Sequence, residues 1–331
     1  MHKVTVLMPI FNVEKYIGEA IKSILTQSFT DLELLIINDG STDKTENLVR
    51  KYKDKRIKFI NNKKNRGLVA VLNQGMKLIK SRYLVRMDGD DISLPTRIEK
   101  QVQFMESHPE IDVCGTWFEV FESGAKSKTY SRPVSPAACK ASLLFTDPVC
   151  HATTIMRFET LKKHDVKYSP GFEHLEDYEF WNRISPFANF SNIDEVLYRY
   201  RYHSDSTGHK EQKEQQRLMK MVQEIYLKKL GILTASKDVV IHSQILNRSY
   251  KPSILFLIRT GLWFRKLIKT NQKSRIYDDV EFSKIINQKW LMVCSDCTGG
   301  YAGIIRKIPP GTSIYTIFVR LTKQFLWRLT Y

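Results

Sequence analysis

The sequence predicts an α/β fold, with a mainly parallel central sheet carrying helices on both faces, followed by a mostly helical C-terminal extension. Three observations lead there. Apolar, β-rich runs alternate with helical patterns through the first hundred residues. Two acidic, glycine-containing loops directly follow such runs, where ligands of parallel sheets bind. From Lys210 onward the alternation gives way to long amphipathic helical runs. The expected division is an α/β domain over residues 1–209 and a basic helical region over 210–331.

Each element has its own signal. Val4–Met8 is a short β-rich run, and Ile17, Ile21 and Ile24/Leu25 share one face of a helical pattern from about Glu14 to Leu25. Leu34–Ile37 is continuously apolar, the mark of a strand covered on both faces. Asn38-Asp39-Gly40-Ser41 breaks it, and Ser41 or Thr42 can cap a helix from about Lys44 to Tyr52. A strand at Ile57–Ile60, a helix near Leu68–Ile79 and a strand at Tyr83–Met87 continue the series. In the C-terminal region, Phe256, Leu257, Trp263, Phe264, Leu267 and Ile268 share a face opposite Arg259, Lys266 and Lys269. A second seam joins Ile314, Phe318, Leu321, Phe325 and Leu329.

Composition sets bounds. With 331 residues, 42% hydrophobic and 26% charged, the chain can bury a core and hold one large domain with an appendage. Five scattered cysteines argue for a reducing compartment, and Cys294-x-x-Cys297 reads as packed thiols. Met1–Ile10 is too short for a signal peptide, and no apolar stretch reaches the roughly 18 residues of a membrane span. A cytoplasmic protein is the expectation. The net charge of +17 is uneven: residues 210–331 hold 22 Lys+Arg against 8 Asp+Glu, leaving only +3 for the first 209. Such asymmetry points to an anionic surface, lipid or nucleic acid.

Chemistry concentrates at Met87-Asp88-Gly89-Asp90-Asp91. Three carboxylates in four positions repel one another unless a cation offsets the repulsion. Carboxylates at i and i+2 of an extended segment point the same way, and Gly89 permits close approach of a ligand to the backbone. Hard oxygen ligands suit Mg2+ or Mn2+. On these residues alone, a cation site and a solvated acidic turn are both open.

This segment stands in order with five others: Val4-Thr5-Val6-Leu7-Met8-Pro9-Ile10-Phe11-Asn12, Ile36-Ile37-Asn38-Asp39-Gly40-Ser41-Thr42-Asp43, Asn65-Arg66-Gly67-Leu68, Glu176-Asp177-Tyr178-Glu179-Phe180-Trp181, and Tyr198-Arg199-Tyr200-Arg201-Tyr202-His203. Together they resemble the family 2 glycosyltransferases and their GT-A fold over roughly residues 3–205. The resemblance implies an inverting enzyme moving a hexose or N-acetylhexosamine from a nucleoside-diphosphate sugar, most often a UDP-sugar. The implied acceptor is a hydroxyl of a glycan or lipid-linked saccharide, in cell-surface polysaccharide or lipopolysaccharide synthesis. It makes Asp177 the general base and Asp90, Asp91 and His203 ligands of Mn2+ or Mg2+. Pro9, Phe11, Asn12, Asp39, Arg66, Asp88 and Gly89 would surround the nucleotide sugar, with His151, Glu176 and Trp181 on the acceptor side. Without the resemblance, Asp39 reads equally as a turn residue, Glu176 as a helix-terminal charge, Trp181 as core and His203 as a surface histidine.

The basic helices suit docking at the cytoplasmic face of an anionic inner membrane, or packing on the catalytic domain, or a dimer contact. A nucleic-acid-binding protein is the poorer reading, because zinc-finger spacing, an RNA-recognition motif and a basic zipper are missing. A sugar nucleotidyltransferase would need the same metal and nucleotide, but its Gly-rich signature near the first strand is absent. Kinase and dehydrogenase readings fall with the missing P-loop and G-x-G-x-x-G.

Overall fold

The computed structural model describes residues 2–122, 127–202, 212–233 and 237–297. The chain divides into two compact units, Met1–Met219 and Lys220–Tyr331.

The first unit is built on a nine-stranded sheet. Strands β1 (Val4–Ile10), β2 (Leu32–Asn38), β3 (Ile57–Asn61) and β4 (Tyr83–Arg86) lie in the order β3-β2-β1-β4 and are mutually parallel. Beyond β4 come β8 (Ile155–Arg157), β6 (Val113–Phe121), β9 (Phe190–Arg201) and the short β5 (Ile92–Ser93), with β7 (Lys128–Tyr130) beside β6. β8 is antiparallel to both neighbours, which turns β6 and its parallel partner β9 back into the direction of β4. Six strands therefore run one way, and only β5, β7 and β8 oppose them. The carboxyl ends of β1–β4, β6 and β9 share one rim.

Periodicity explains the layers. All seven residues of β1 are buried, as expected of a central strand covered on both sides. Val4, Val6, Met8 and Ile10 join one cluster with Ile17, Ala20, Ile21 and Ile24 of helix α1 (Ile17–Leu25). Leu7 points the opposite way, onto Gly75 of helix α3 (Leu68–Met76). Pro9 is tolerated in this strand because pairing with β4 ends at Leu7, so no ladder bond is lost there.

Two helices are shorter than the sequence suggests: α1 starts at Ile17 rather than about Glu14, and α2 ends at Val49 rather than about Tyr52. The turn after β1 is tied to the turn after β2: Glu14 N–H donates to Asp43 (3.0 Å), and Lys44 N–H donates to Glu14 (2.8 Å). That exchange holds Glu14 out of α1. Likewise Ser41 caps no helix; its hydroxyl donates to Asn38 (2.5 Å), and helix α2 is the short Thr45–Val49.

Helices α4 (Arg97–Ser107), α5 (Pro136–Ser142), α6 (Phe158–Lys163) and α7 (Glu176–Ile184) complete the first unit's inventory, up to the long α8 (Gln212–Lys229) in which the division of the chain falls. In the second unit, α9 (Lys237–Asn247), α10 (Ile254–Ser274) and α11 (Asp279–Cys297) pack together. The expected α10 seam is realised: Phe256, Trp263, Phe264 and Leu267 are buried, Leu257 and Ile268 half-buried, and Arg259, Lys266 and Lys269 exposed. The seam expected at 314–329 lies outside the described residues. Cys294 is buried, Cys297 half-buried, and neither forms a disulfide. No described helix is long and apolar enough to cross a membrane.

Candidate active site

The ends of β1, β2 and β3 bring the first group of expected residues together. Asn12 adopts a left-handed backbone (φ 51°), its N–H donates to Ser41 (2.9 Å) and its side-chain oxygen accepts from Thr42 N–H (2.9 Å). Phe11 beside it is 44% exposed, and the Arg66 side chain is exposed. Asp39 differs from the open acceptor expected of it. It is 4% exposed, and its carboxylate accepts the N–H groups of Arg66 (3.0 Å) and Gly67 (2.9 Å), fastening the loop before α3. Gly40 must be glycine: φ is +71°, and a Cβ would lie 2.6 Å from the Lys64 carbonyl carbon.

The acidic loop after β4 is held from two sides. Arg86, 3% exposed, pairs with the half-buried Asp88. Burial disfavours the guanidinium charge, but Asp88 outweighs it and raises the Arg86 pKa. On the other side, the end of β9 grips Asp91. The Tyr198 hydroxyl donates to it at 2.8 Å and Arg201 N–H at 2.7 Å, leaving it 1% exposed. Arg201 also donates through Nε to the Asp90 carbonyl (2.8 Å) and pairs with Glu19. Beneath Tyr198 lies the buried Arg97, 4.8 Å from the ring centroid, which donates to the Arg86 carbonyl (2.9 Å). The fold itself requires glycine at 89, since a Cβ there would come within 2.5 Å of Ile10 Cγ2.

The expected metal ligands are therefore divided. Asp91 faces inward; burial and the neighbouring Asp90 and Asp88 push its pKa well above the usual range. Asp88 and Asp90 remain half-buried. His203 lies outside the described residues. Among those described, no group of three or more His, Cys, Asp or Glu is arranged to cage a metal. Two carboxylates fit the donor set of Mg2+ or Mn2+, which takes its remaining ligands from phosphate and water.

The third group sits at the start of α7. Asp177 is half-buried and accepts from Tyr178 N–H (2.7 Å). Burial raises its pKa, opposed by that hydrogen bond and by the charges of Arg86 and Arg132. Glu176 is 8% exposed, and burial together with Asp177 pushes its pKa up to about 7. The helix is anchored behind these carboxylates. The Tyr178 hydroxyl donates to the Leu143 carbonyl (2.5 Å), and Tyr168 stacks on Phe180 with centroids 4.3 Å apart. Trp181, expected on the acceptor side, is fully buried among His151, Phe180 and Phe190 and offers no face to a sugar. His151 is also buried, its Nε2 2.7 Å from the Tyr168 hydroxyl, and burial holds its pKa well below the usual value. It is neutral at pH 7.

Sequence reading missed four residues here: Arg86, Tyr198, Asp147 and Arg132. Arg86 carried a signal, a charged residue inside an otherwise apolar strand. Tyr198 lay in a motif without a role of its own. Asp147 and Arg132 carried no local pattern.

The comparisons with known proteins bear on family and fold. A family model described as "Glycosyl transferase family 2" matches residues 5–165. An uncharacterized glycosyltransferase of Haemophilus influenzae is 34% identical over 69% of this chain and 76% of its own length. The O-antigen biosynthesis glycosyltransferase WbnJ of Escherichia coli is 32% identical over 62% of this chain and 81% of its own. Among solved structures, S. aureus TarS 1–349 in complex with UDP-GlcNAc superposes with a TM-score of 0.59 at 18% identity, over 90% of this chain and 92% of that one. The mannosyltransferase PcManGT from Pyrobaculum calidifontis, in complex with GDP-Man and Mn2+, gives 0.54 at 14% identity, over 90% and 87%. These two likenesses bear on the fold.

Proposed function

This chain belongs to the family 2 glycosyltransferases, and from that membership we propose an inverting transfer of a hexose or N-acetylhexosamine from a UDP-sugar to a saccharide or lipid-linked saccharide hydroxyl. The observation that carries this reading is the position of Arg86. It pairs with Asp88 of the acidic loop, and its charge acts on Asp177 and Glu176. The carboxylates suited to a diphosphate-bound cation and the carboxylate suited to a base thus share one focus.

Each residue then has a task. Asp177 takes the proton of the acceptor hydroxyl as its oxygen attacks the anomeric carbon, and a single displacement turns an α-linked donor into a β-glycoside. Asp88 and Asp90 would hold Mn2+ or Mg2+, which when bound would supply positive charge against the leaving diphosphate. Asp91, locked by Tyr198 and Arg201, shapes the loop that presents them. Phe11, Asn12 and Arg66 flank the nucleotide at the rim, with Pro9 and Asp39 setting their backbone. The UDP-GlcNAc and GDP-Man with Mn2+ bound by the two structural neighbours support a nucleotide-sugar donor and a divalent ion. The O-antigen role in WbnJ's name supports a cell-surface glycan as product. The basic 210–331 region docks the enzyme at the cytoplasmic face of the membrane.

A donor screen tests this directly. Release of nucleoside diphosphate from one UDP-sugar is expected, stopped by chelator and restored by Mn2+ or Mg2+. Asp177→Asn is expected to lose at least ~10³-fold of turnover while UDP binding stays within twofold. Full turnover in that variant, or in excess chelator, contradicts the proposal.

A further inference from the structure

The +3 balance of residues 1–209 conceals a sharply basic run. Residues 50–66 hold nine Lys+Arg and a single acid, Asp54, so this run alone carries +8. The structure sets it on the edge of the sheet, because β3 ends the strand order and, among the described strands, pairs only with β2. Lys51, Lys53 and Lys55 precede β3, Lys58 lies on it, and Lys63, Lys64 and Arg66 follow it at the rim. The basic edge therefore runs the length of a five-residue strand, about 17 Å. Two of the nine cations are engaged locally, Arg56 with Asp54 (2.8 Å) and Arg50 with Glu46 (2.8 Å). The other seven are exposed, and their side chains form no ion pair or hydrogen bond with another described residue.

Edge strands are commonly guarded by a lysine, and Lys58 alone serves that end. An ordinary solvated face intersperses both signs of charge, whereas the one acid of this run is already paired. Seven cations along one edge hold a positive potential that a polyanionic surface relieves. The aromatic residues of the run narrow the choice of surface. The Tyr52 hydroxyl donates to the Gly18 carbonyl (3.1 Å), and the Arg50 guanidinium covers Phe59 at 5.2 Å. Both rings are thus engaged, and neither offers the open stacking platform that single-stranded nucleic acid uses. Leu48 and Tyr52 instead line a furrow of about 280 Å3 with Gly18 and Lys51. Apolar side chains beside a cation suit the headgroup region of a bilayer.

We propose that the β3 edge is a contact surface for an anionic phospholipid bilayer, carried by the α/β unit itself. This rests on the membrane docking proposed above for residues 210–331, and adds a second place of contact to it. Lipid phosphates neutralise the seven cations without any specific pairing geometry, as a diffuse basic surface requires. The run ends at the rim, where Asp39 holds the N–H groups of Arg66 (3.0 Å) and Gly67 (2.9 Å). Docking by this edge therefore brings the loop that flanks the nucleotide close to the bilayer, where a lipid-linked acceptor resides.

The test is co-sedimentation of the full-length chain with phosphatidylglycerol-containing vesicles at physiological salt, beside binding to random-sequence DNA in the same buffer. The wild type is expected to bind the anionic vesicles. Lys53→Glu, Lys55→Glu and Lys58→Glu together, all exposed and outside the proposed nucleotide contacts, should weaken that binding at least tenfold with thermal melting unchanged. Where the charge reversals do not fold, the corresponding Gln variant should lose at least threefold. If the wild type binds no anionic vesicle, membrane docking as a whole fails and this edge fails with it. If the wild type binds and the folded triple variant binds equally well, the edge alone is overturned. Tighter wild-type binding to DNA than to the vesicles, lost in the triple variant, overturns the lipid assignment in favour of nucleic acid.

Discussion

A guanidinium as deeply buried as that of Arg86 is destabilising unless paired, by several kcal/mol. The ion pair with Asp88 offsets that cost, and the geometry leaves the same charge acting on Asp177 and Glu176. Glu176 shows what the focus costs in stability. Its folded-state pKa of about 7 stands above the ordinary 4.5, so the folded chain holds a proton that the unfolded chain has released. That contribution is fully present below pH 4.5 and is lost as pH rises through 7. Glu176→Gln removes the buried charge. The variant is expected to be more stable than wild type at pH 8, by up to about 3 kcal/mol from the size of the shift, with most of the gain gone at pH 5. Thermal melts at the two pH values check it; an equal change at both would contradict the burial argument. Asp177 shifts in the same direction. Its ionised, basic form is present only above its raised pKa, so turnover should fall away on acidification at a higher pH than an ordinary carboxylate would give.

Elements matter here through their ends. β4 delivers the acidic loop, and β9 delivers Tyr198 and Arg201, which lock it. Tyr198 lies over Arg97 of α4, donates to Asp91, and accepts from Asp88 N–H at 3.3 Å, so α4, β9 and the acidic loop meet at one side chain. Tyr198→Phe leaves Asp91 buried with one donor fewer. The expected cost is about 1–3 kcal/mol in denaturant unfolding, accompanied by weaker Mn2+-dependent UDP binding as the loop loosens. Loss of stability with metal-dependent binding intact would show that the lock is structural only. The motif around Asp88 was legible because consecutive residues carry it. The lock was not, since Asp91 and Tyr198 stand 107 positions apart. For the same reason Asp91 read as a metal ligand, and only the β5–β9 pairing explains why it turns inward.

For the whole molecule, part of the charge imbalance of +14 over residues 210–331 against +3 before them lies on α10, which carries five Lys+Arg and no Asp or Glu. Leu262, Arg265, Lys266, Lys269, Thr270 and Lys273 line a furrow of about 380 Å3, and Leu262 is 61% exposed beside these cations. Cations flanking an exposed apolar side chain suit an anionic lipid surface. The full-length chain is expected to co-sediment with vesicles containing phosphatidylglycerol and not with purely zwitterionic ones. Lys269→Glu with Lys273→Glu should reduce that binding at least tenfold; equal binding of both proteins would remove α10 from any membrane role.

The sequence by itself determined the alternating α/β architecture, the rim on which the motifs gather, the family, and the α10 seam. Each of those is written in neighbouring residues, through the period of apolar side chains or the order of short motifs. Only the tertiary structure decided that Asp39 fastens a loop, that Asp91 and Trp181 are enclosed, and that the charges of Arg86 and Arg132 act on Asp177. Burial and charge at a point are set by everything that converges there. Segments far apart in the chain become neighbours only when the order of strands in the sheet is known.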